Sequence, residues 1–413
     1  MSNKTDPALN VILQKIRLIN FAEHADALRP GHKPIIVSIP EDSSKFQRGG
    51  MNVHIPLTFS DGVRWLARIR QKSTPSTRLI LESEIQTMQF LNAAGMQVPN
   101  AFMPRGETYV GEDLHFFFLE YFQGTSCNAP IAQGSLTIEQ QHDLIDSLAR
   151  FYINLSHISF TQSGSLVRDP ASGNLEVGPL ISLDFCQDQE DRLPGPFFFG
   201  PFQSSAHRYL AQIEHVLREI EQGSRAFAGD EDVISVYVAH LWLKDLMQNS
   251  PRLWEEGEQT FLKHADDKGD QIMVDKDGKF VGVIDWEWAY TASKSEAFAA
   301  PLALVDVNPF FDGINDLSSN EEHLVNAYNK YGFPDLAKCV RDGKVYQRLP
   351  MVIGQQPDLV QLRALEHALT GKTLDCAVNI ETIGEWVEDM AGGRYRMQVL
   401  AMKKIEKVVA AKD

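Results

Sequence analysis

The chain is poor in cysteine: Cys127, Cys186, Cys339 and Cys376 are its only four among 413 residues, and they stand far apart. No Cys-x-x-Cys pair occurs, so neither a disulfide framework nor a thiolate zinc site is expected. A reduced, cytoplasmic setting follows. Basic residues are also scarce. There are 39 Lys and Arg against 55 Asp and Glu, a net charge of −16. That balance excludes broad contact with nucleic-acid phosphate and with an anionic membrane surface. Long apolar runs are missing too. The densest patch, Phe116-Phe117-Phe118-Leu119, is far short of a membrane span. The first twenty residues hold no signal-peptide apolar core, because Asn, Gln, Lys and Arg interrupt them. They predict an amphipathic helix through Leu9, Ile12, Ile16 and Ile19. No internal repeat is visible, and Gly49-Gly50 is no full G-x-G-x-x-G loop.

What is present is an ordinary globular composition, 43% hydrophobic and 23% charged. At roughly 150 residues per domain, the length suggests two or three domains. Residues 35–72 read as strands. Ile35–Ile39 is one; Val53–Phe59 is a second, which Pro56 would place at a sheet edge. A Ser60-Asp61-Gly62 turn follows, then Arg64–Ile69. A helix is expected over Leu81–Ala94, stopped by Gly95, and a strand over Leu114–Phe122. From about residue 136 the pattern becomes helical. Thr137 with Gln140 fits a capping box, and later helices are expected over Tyr209–Ile220 and Val233–Met247. A hairpin over residues 271–284, turning at Lys276-Asp277-Gly278, interrupts this run. The organisation expected is an N-terminal helical extension (1–34), a small lobe of sheet and helix (35–123), a linker (124–135) and a helical lobe (136–413) with a catalytic hairpin at 261–290.

Carboxylates cluster around that hairpin. Asp266 precedes it and Asp285 closes it, nineteen positions later. Two acids at the ends of one hairpin suit phosphoryl transfer. One orients an acceptor hydroxyl and takes its proton; the other holds magnesium against the phosphates. An EF-hand register fails, since a loop ending at Gly278 needs its first ligand at Met273. His264 is expected as a structural histidine of the loop, and the cysteines as buried and inert.

These residues resemble a known family. His264-Ala265-Asp266, Gln271–Asp275 and Gly282-Val283-Ile284-Asp285-Trp286-Glu287 are similar to the aminoglycoside phosphotransferase and choline kinase group. The similarity extends to Arg64–Ile69, Ser83-Glu84-Ile85, Gln97-Val98-Pro99 and Leu119–Gly124, with weaker echoes at Gly164–Leu166 and Gly195-Pro196. The resemblance implies a two-lobed protein-kinase-like α+β fold and an ATP- or GTP-dependent transfer of phosphate to a small-molecule hydroxyl. It implies Asp266 as base and Asp285 as Mg2+ ligand, with Gln271 or Asp270 as the second ligand. Arg68, oriented by Glu84, would hold phosphates; Gly49 and Gly50 would cover them; Glu120, Tyr121 and Phe122 would form the hinge that meets adenine. Arg68 stands where the group has lysine and Gln271 where it has asparagine. Those two changes leave a nucleotide-binding pseudokinase, or a scaffold without nucleotide, as alternatives. The acceptor and the oligomeric state are not encoded legibly.

Overall fold

Alternation along two strands sets the geometry of everything that follows. Successive strand residues point to opposite faces. Trp65, Ala67 and Ile69 therefore share one face of their strand, and Arg68 and Arg70 share the other. The computed structural model of the chain describes residues 7–74, 76–104, 114–127, 136–169, 171–182, 199–225, 233–254, 257, 259–371 and 380–409. Phe197, Phe198, Gly195, Pro196, Cys186, Cys376 and most of the expected linker lie outside the described residues.

In chain order the strands are β1 (Ile36–Val37), β2 (Gln47–Arg48), β3 (Asn52–Thr58), β4 (Arg64–Arg70), β5 (Ala101–Phe102), β6 (Phe116–Glu120), β7 (Thr125–Ser126), β8 (Ser159–Phe160), β9 (Leu166–Arg168), β10 (Leu175–Val177), β11 (Thr260–Lys263), β12 (Ile272–Val274), β13 (Phe280–Val283) and β14 (Tyr290–Ser293). The helices are α1 (Pro7–Ile16), α2 (Phe21–Leu28), α3 (Thr77–Ala93), α4 (Ile138–Leu155), α5 (Ser205–Glu221), α6 (Val233–Gln248), α7 (Pro251–Trp254), α8 (Lys294–Ala297), α9 (Val307–Phe311), α10 (Ser319–Lys330), α11 (Pro334–Arg341), α12 (Lys344–Val352), α13 (Leu359–Thr370), α14 (Ile383–Gly392) and α15 (Arg396–Val409). The chain divides into two compact units.

The first unit comprises Met1–Pro130, Leu166–Glu176 and Asp270–Ala289. Its main sheet runs β1-β3-β4-β6-β5, with β2 also pairing β3. One face buries Val53, Ile55, Leu57, Trp65, Ala67, Ile69, Phe116 and Phe118 against Leu9, Ile16 and Phe21 of the first two helices. Trp65 stacks on Phe102 with ring centroids 4.4 Å apart and meets Phe59 edge-on at 4.8 Å. The amphipathic N-terminal helix is thus part of this core. The expectation that Pro56 marks an edge is corrected: β3 lies inside the sheet, between β1 and β4. Pro56 is tolerated because its carbonyl side faces the two-residue β1, where Ser38 N donates to Pro56 O at 2.9 Å. The N–H that proline lacks would point the same way, so the β4 ladder loses nothing. The Asp61-Gly62 turn is present, with Gly62 at φ 86°. Helix α3 starts four residues earlier than expected, at Thr77.

A second sheet of the same unit has the order β13-β12-β7. The hairpin pairs Ile272 with Val283 and Met273 with Gly282. Its turn is closed by Asp275, whose Oδ1 accepts from Asp277 N and Lys279 N, both at 2.9 Å. Asp275 is therefore a turn carboxylate. At Gly282 a Cβ would stand 2.4 Å from both Gln97 O and Phe122 Cε1. Only glycine lets the Gln97 segment close on this hairpin, where Val283 N donates to Gln97 O at 3.0 Å.

The second unit comprises Ile131–Ser165, Val177–Gly269 and Tyr290–Asp413. It is mainly helical, around a β14-β11-β8 sheet. The Thr137–Gln140 capping box opens α4 as expected. Helix α6 occupies its expected position and α5 begins four residues earlier than expected, at Ser205; together they bury Ile213, Val238, Leu243 and Trp242, with Trp242 meeting Trp386 edge-on. Among the described residues no helix is long and apolar enough to cross a membrane. Cys127 in the first unit and Cys339 in the second are buried free thiols, pushed up to about 12 and about 11 by desolvation. Neither is reactive near neutral pH.

His240 on α6 gives this unit a pH response. It is fully buried; its Nδ1 lies 2.7 Å from Val236 O, and its Nε2 accepts from Gly354 N at 2.8 Å. The ring is thus neutral, with the proton on Nδ1. Burial holds its pKa down at about 4, against 6.5 unfolded. Above pH 6.5 the ring is neutral in both states. As pH falls from 6.5 towards 4 only the unfolded state gains a proton, and stability is lost, by about 3 kcal/mol at pH 4. Urea unfolding at pH 7 and pH 4.5 should show this loss, with a shallower slope in His240→Gln. An equal slope in the two chains would contradict it.

Candidate active site

The face of β3 and β4 turned away from the N-terminal helices carries Asn52, His54, Arg68 and Arg70. Cross-strand register sets His54 beside Arg68 and Asn52 beside Arg70. Two guanidiniums on a nearly buried sheet face require counter-charges. The unit supplies three carboxylates. Arg68 Nε stands 3.2 Å from Glu84 Oε1 of α3. Its Nη2 donates to Asp285 Oδ1 at 2.6 Å and to Glu287 Oε2 at 2.7 Å. Arg70 Nη1 donates to Glu287 Oε1, and Asn52 Nδ2 donates to Glu287 Oε2 at 2.9 Å. Arg68, Glu84 and Glu287 are buried, whereas the Asp285 side chain is 46% exposed. Two cations against three carboxylates leave one surplus negative charge when all are ionised.

The electrostatics follow from burial. Desolvation opposes the Arg68 charge, but Asp285, Glu84 and Glu287 outweigh it and raise its pKa. Glu84 is raised above the usual carboxylate range, first by desolvation, then against the pull of Arg68 and with the push of Glu287 and Asp285. His54 is held down at about 4 by burial and by Arg68. The charge of Arg68 is therefore fixed, and Glu84 is the group that gives way.

Asp285 is the one non-glycine residue with positive φ among the described residues, at 63°. Aspartate tolerates this region better than most residues. Behind it, Ile284 N donates to Gln271 O at 2.9 Å. Gln271 and Asp270 thus lie one and two positions beyond the ladder pair Ile272–Val283, at the base of the hairpin that ends in Asp285. Gln271 is buried and Asp270 exposed. These are hard oxygen donors, and the half-exposed Asp285 carboxylate is open to solvent. Among the described residues no group of three His, Cys, Asp or Glu side chains forms a self-sufficient metal cage. The donor chemistry fits magnesium, which takes one or two carboxylates and completes its shell with phosphate and water.

The remaining expected residues are placed as follows. Gly49 and Gly50 are exposed, and a Cβ at either would meet nothing within 4 Å. Gln71 Nε2 donates to Gly49 O at 3.0 Å and holds this strand end. Glu120 N donates to Asn100 O, and Tyr121 N to Arg64 O, both at 2.9 Å. The Arg64 guanidinium covers the Tyr121 ring at 3.8 Å. Phe122 packs on Gly282. Asp266 belongs to the helical unit. Its side chain is 42% exposed and its Oδ2 lies 3.0 Å from Lys268 Nζ. His264 is buried beside it.

Sequence reasoning assigned no part to Glu287, Arg70 or Asn52. One signal was available: Arg68 and Arg70 are two apart on a strand, as are Asp285 and Glu287 on the facing segment. Equal spacing of opposite charges lets the two pairs meet.

The phosphotransferase enzyme family matches residues 57–292, more than half of the chain, and the chain belongs to that family. Its fold is the protein-kinase-like α+β fold. No curated protein sequence matches the chain. Among solved structures it is similar to a macrolide 2′-phosphotransferase from Brachybacterium faecium, at 13% identity and TM-score 0.42, over 85% of this chain and 98% of that one. It is also similar to an ethanolamine kinase from Plasmodium vivax, at 12% identity and TM-score 0.44, over 90% and 95%. An amicoumacin kinase in complex with AMP-PNP, Ca2+ and Ami shares 11% identity and a TM-score of 0.40, over 80% and 88%. Family membership rests on the family match alone.

Proposed function

We propose that the chain is a small-molecule kinase that moves the γ-phosphoryl group of ATP or GTP to a hydroxyl of a small acceptor. The observation that carries this reading is the Arg68 cluster: one guanidinium 3.2 Å from Glu84 and 2.6 Å from Asp285. Phosphoryl transfer is catalysed by positioning and by charge, and it needs a fixed cation at the phosphates with a carboxylate at the metal. Arg68 fills the first role. Its planar fork suits phosphate oxygens; Glu84 holds its Nε, and phosphate would take the place of Asp285 on the Nη side, where Nη2 now donates to Asp285 and Glu287.

Asp285, with Gln271 or Asp270, would hold Mg2+, which supplies charge neutralisation at the phosphates when bound. Gly50 would approach the phosphates by its backbone N–H, because Gly49 N already donates to Asn52 O at 3.0 Å. Adenine would meet the hinge near the Phe122 peptide, because the N–H groups of Glu120 and Tyr121 already serve the sheet. Asp266 would accept the proton of the acceptor hydroxyl. The buried thiols suit a reducing cytoplasmic setting.

A second reading has its own support. Arg68 donates directly to Asp285, and this contact competes with both metal and phosphate. A nucleotide-binding pseudokinase would keep that pairing. Thermal unfolding separates the readings. Mg-ATP at a hundred times its Kd should stabilise the native chain by about 2.7 kcal/mol. No shift with ATP or GTP rejects both nucleotide readings. A shift without phosphate transfer to any member of a hydroxyl-acceptor panel selects the pseudokinase.

A further inference from the structure

In the helical unit, the residue after Asp266 is tied down on three sides. Strand β11 ends at Lys263, opposite Tyr290 of β14. Four residues on, Asp267 Oδ2 accepts from Lys263 Nζ at 3.2 Å, with the two side chains only 10% and 12% exposed. Asp267 Oδ1 accepts from Leu302 N at 3.3 Å, and its backbone carbonyl accepts from Ala303 N at 3.1 Å. One residue thus joins the end of β11, the loop and the 3-10 turn at Leu302–Leu304. The surroundings of Lys263 are themselves rigidly bonded. Glu296 of α8 is buried, takes Arg208 Nη2 at 2.5 and 2.6 Å, and accepts from Tyr290 OH at 2.8 Å.

A buried ion pair adds little net stability compared with apolar side chains of the same volume. Its distinctive effect is directional. A carboxylate bonded at both oxygens has one usable orientation, and the peptide preceding it inherits that constraint. The peptide preceding Asp267 belongs to Asp266, whose own carboxylate is nearly half-exposed.

We propose that the buried Lys263–Asp267 pair positions the loop bearing Asp266, so that the Asp266 carboxylate is held ready for the acceptor hydroxyl. Asp267 is a positioning residue and touches no substrate. The inference rests on the reading of Asp266 as the base. A carboxylate displaced by about 1 Å loses on the order of a hundredfold in rate, and partial release of the loop loses less.

The test uses the full chain and Mg-ATP, with water as the acceptor and phosphate release as the readout. Asp267→Asn keeps the volume and an acceptor for Leu302 N but removes the ionic tie; Lys263→Met removes it from the other side. Each should lower kcat tenfold or more, with the KM for ATP within twofold of the native value. The double variant should be no slower than the slower single, because both changes remove one interaction. A merely structural role would instead move kcat and KM together, in step with the thermal midpoint. Should Asp267→Asn not fold, Lys263→Met decides.

Native kcat in these variants, or additive losses in the double variant, overturns the proposal if Asp266→Ala is inactive. If Asp266→Ala turns over like the native chain, or the native chain has no turnover, the reading of Asp266 falls and this proposal falls with it.

Discussion

Arg68→Ala is expected to destabilise the sheet-bearing unit by about 3–5 kcal/mol, the cost of leaving buried carboxylates without their partner. Glu84 is fully buried and Glu287 nearly so, and Arg68 contacts both. Arg70 and Asn52 still serve Glu287, so the main loss falls on Glu84. The deficit should open above pH 8. In the native chain burial already holds the Glu84 pKa at about 8, so between about pH 4.5 and 8 the folded state of either chain binds the extra proton and both lose stability alike as pH rises. With Arg68 gone the Glu84 pKa rises further, and the variant goes on losing stability above pH 8, where the native chain levels off. Arg68→Lys restores the charge without the fork that reaches Glu84 by Nε and Asp285 and Glu287 by Nη2, and should fall between. Urea unfolding at pH 7 and pH 9.5 measures all three chains. A deficit that does not grow between them, or none, would mean that the cluster is not held by charge.

Asp266→Ala is expected to lower phosphate transfer by about 10²–10⁴-fold, the usual contribution of a general base. Nucleotide affinity should hardly change, because the residues proposed for phosphate and metal, Arg68 and Asp285, are untouched. The thermal midpoint should also stay near the native value, since the Asp266 side chain is 42% exposed and pairs with the exposed Lys268. Single-turnover kinetics with the native chain as reference would read this directly. Transfer within twofold of native would remove Asp266 from the reaction. Lost transfer with lost nucleotide binding would point instead to a damaged fold.

Much of the fold was legible because its signals are local. The period-two pattern of Val53, Ile55 and Leu57 and of Trp65, Ala67 and Ile69 marks two strands and their buried face. Asp61-Gly62 marks the turn, Thr137 and Gln140 the start of α4, and Gly278 the tip of the hairpin. Misreadings arose where a neighbour decided the outcome. Pro56 sits inside the sheet because β1 is too short to need its N–H. Helix α3 begins at Thr77, after an N-cap Ser76 whose side chain makes no cap bond, and the apolar period alone placed its start too late. Of the candidate site, Arg68, Glu84 and Asp285 were picked out by motif, and they lie together in one unit. Glu287 was visible only as part of a motif, and Arg70 and Asn52 carried no motif at all. Their roles come from cross-strand register, which local pattern does not specify.

By itself the sequence determined the alternation that puts Arg68 and Arg70 on one strand face, the hairpin that ends in Asp285, and the acidic balance of the chain. Only the tertiary structure decided which carboxylates answer those guanidiniums. Residues 270–289 return to the unit built by the first 130, and that return delivers Asp285 and Glu287 to Arg68 across more than two hundred positions. The reason is physical. A strand sets its side-chain directions through its own backbone, but a buried charge must find its partner wherever packing brings one within about 3 Å, at any distance along the chain.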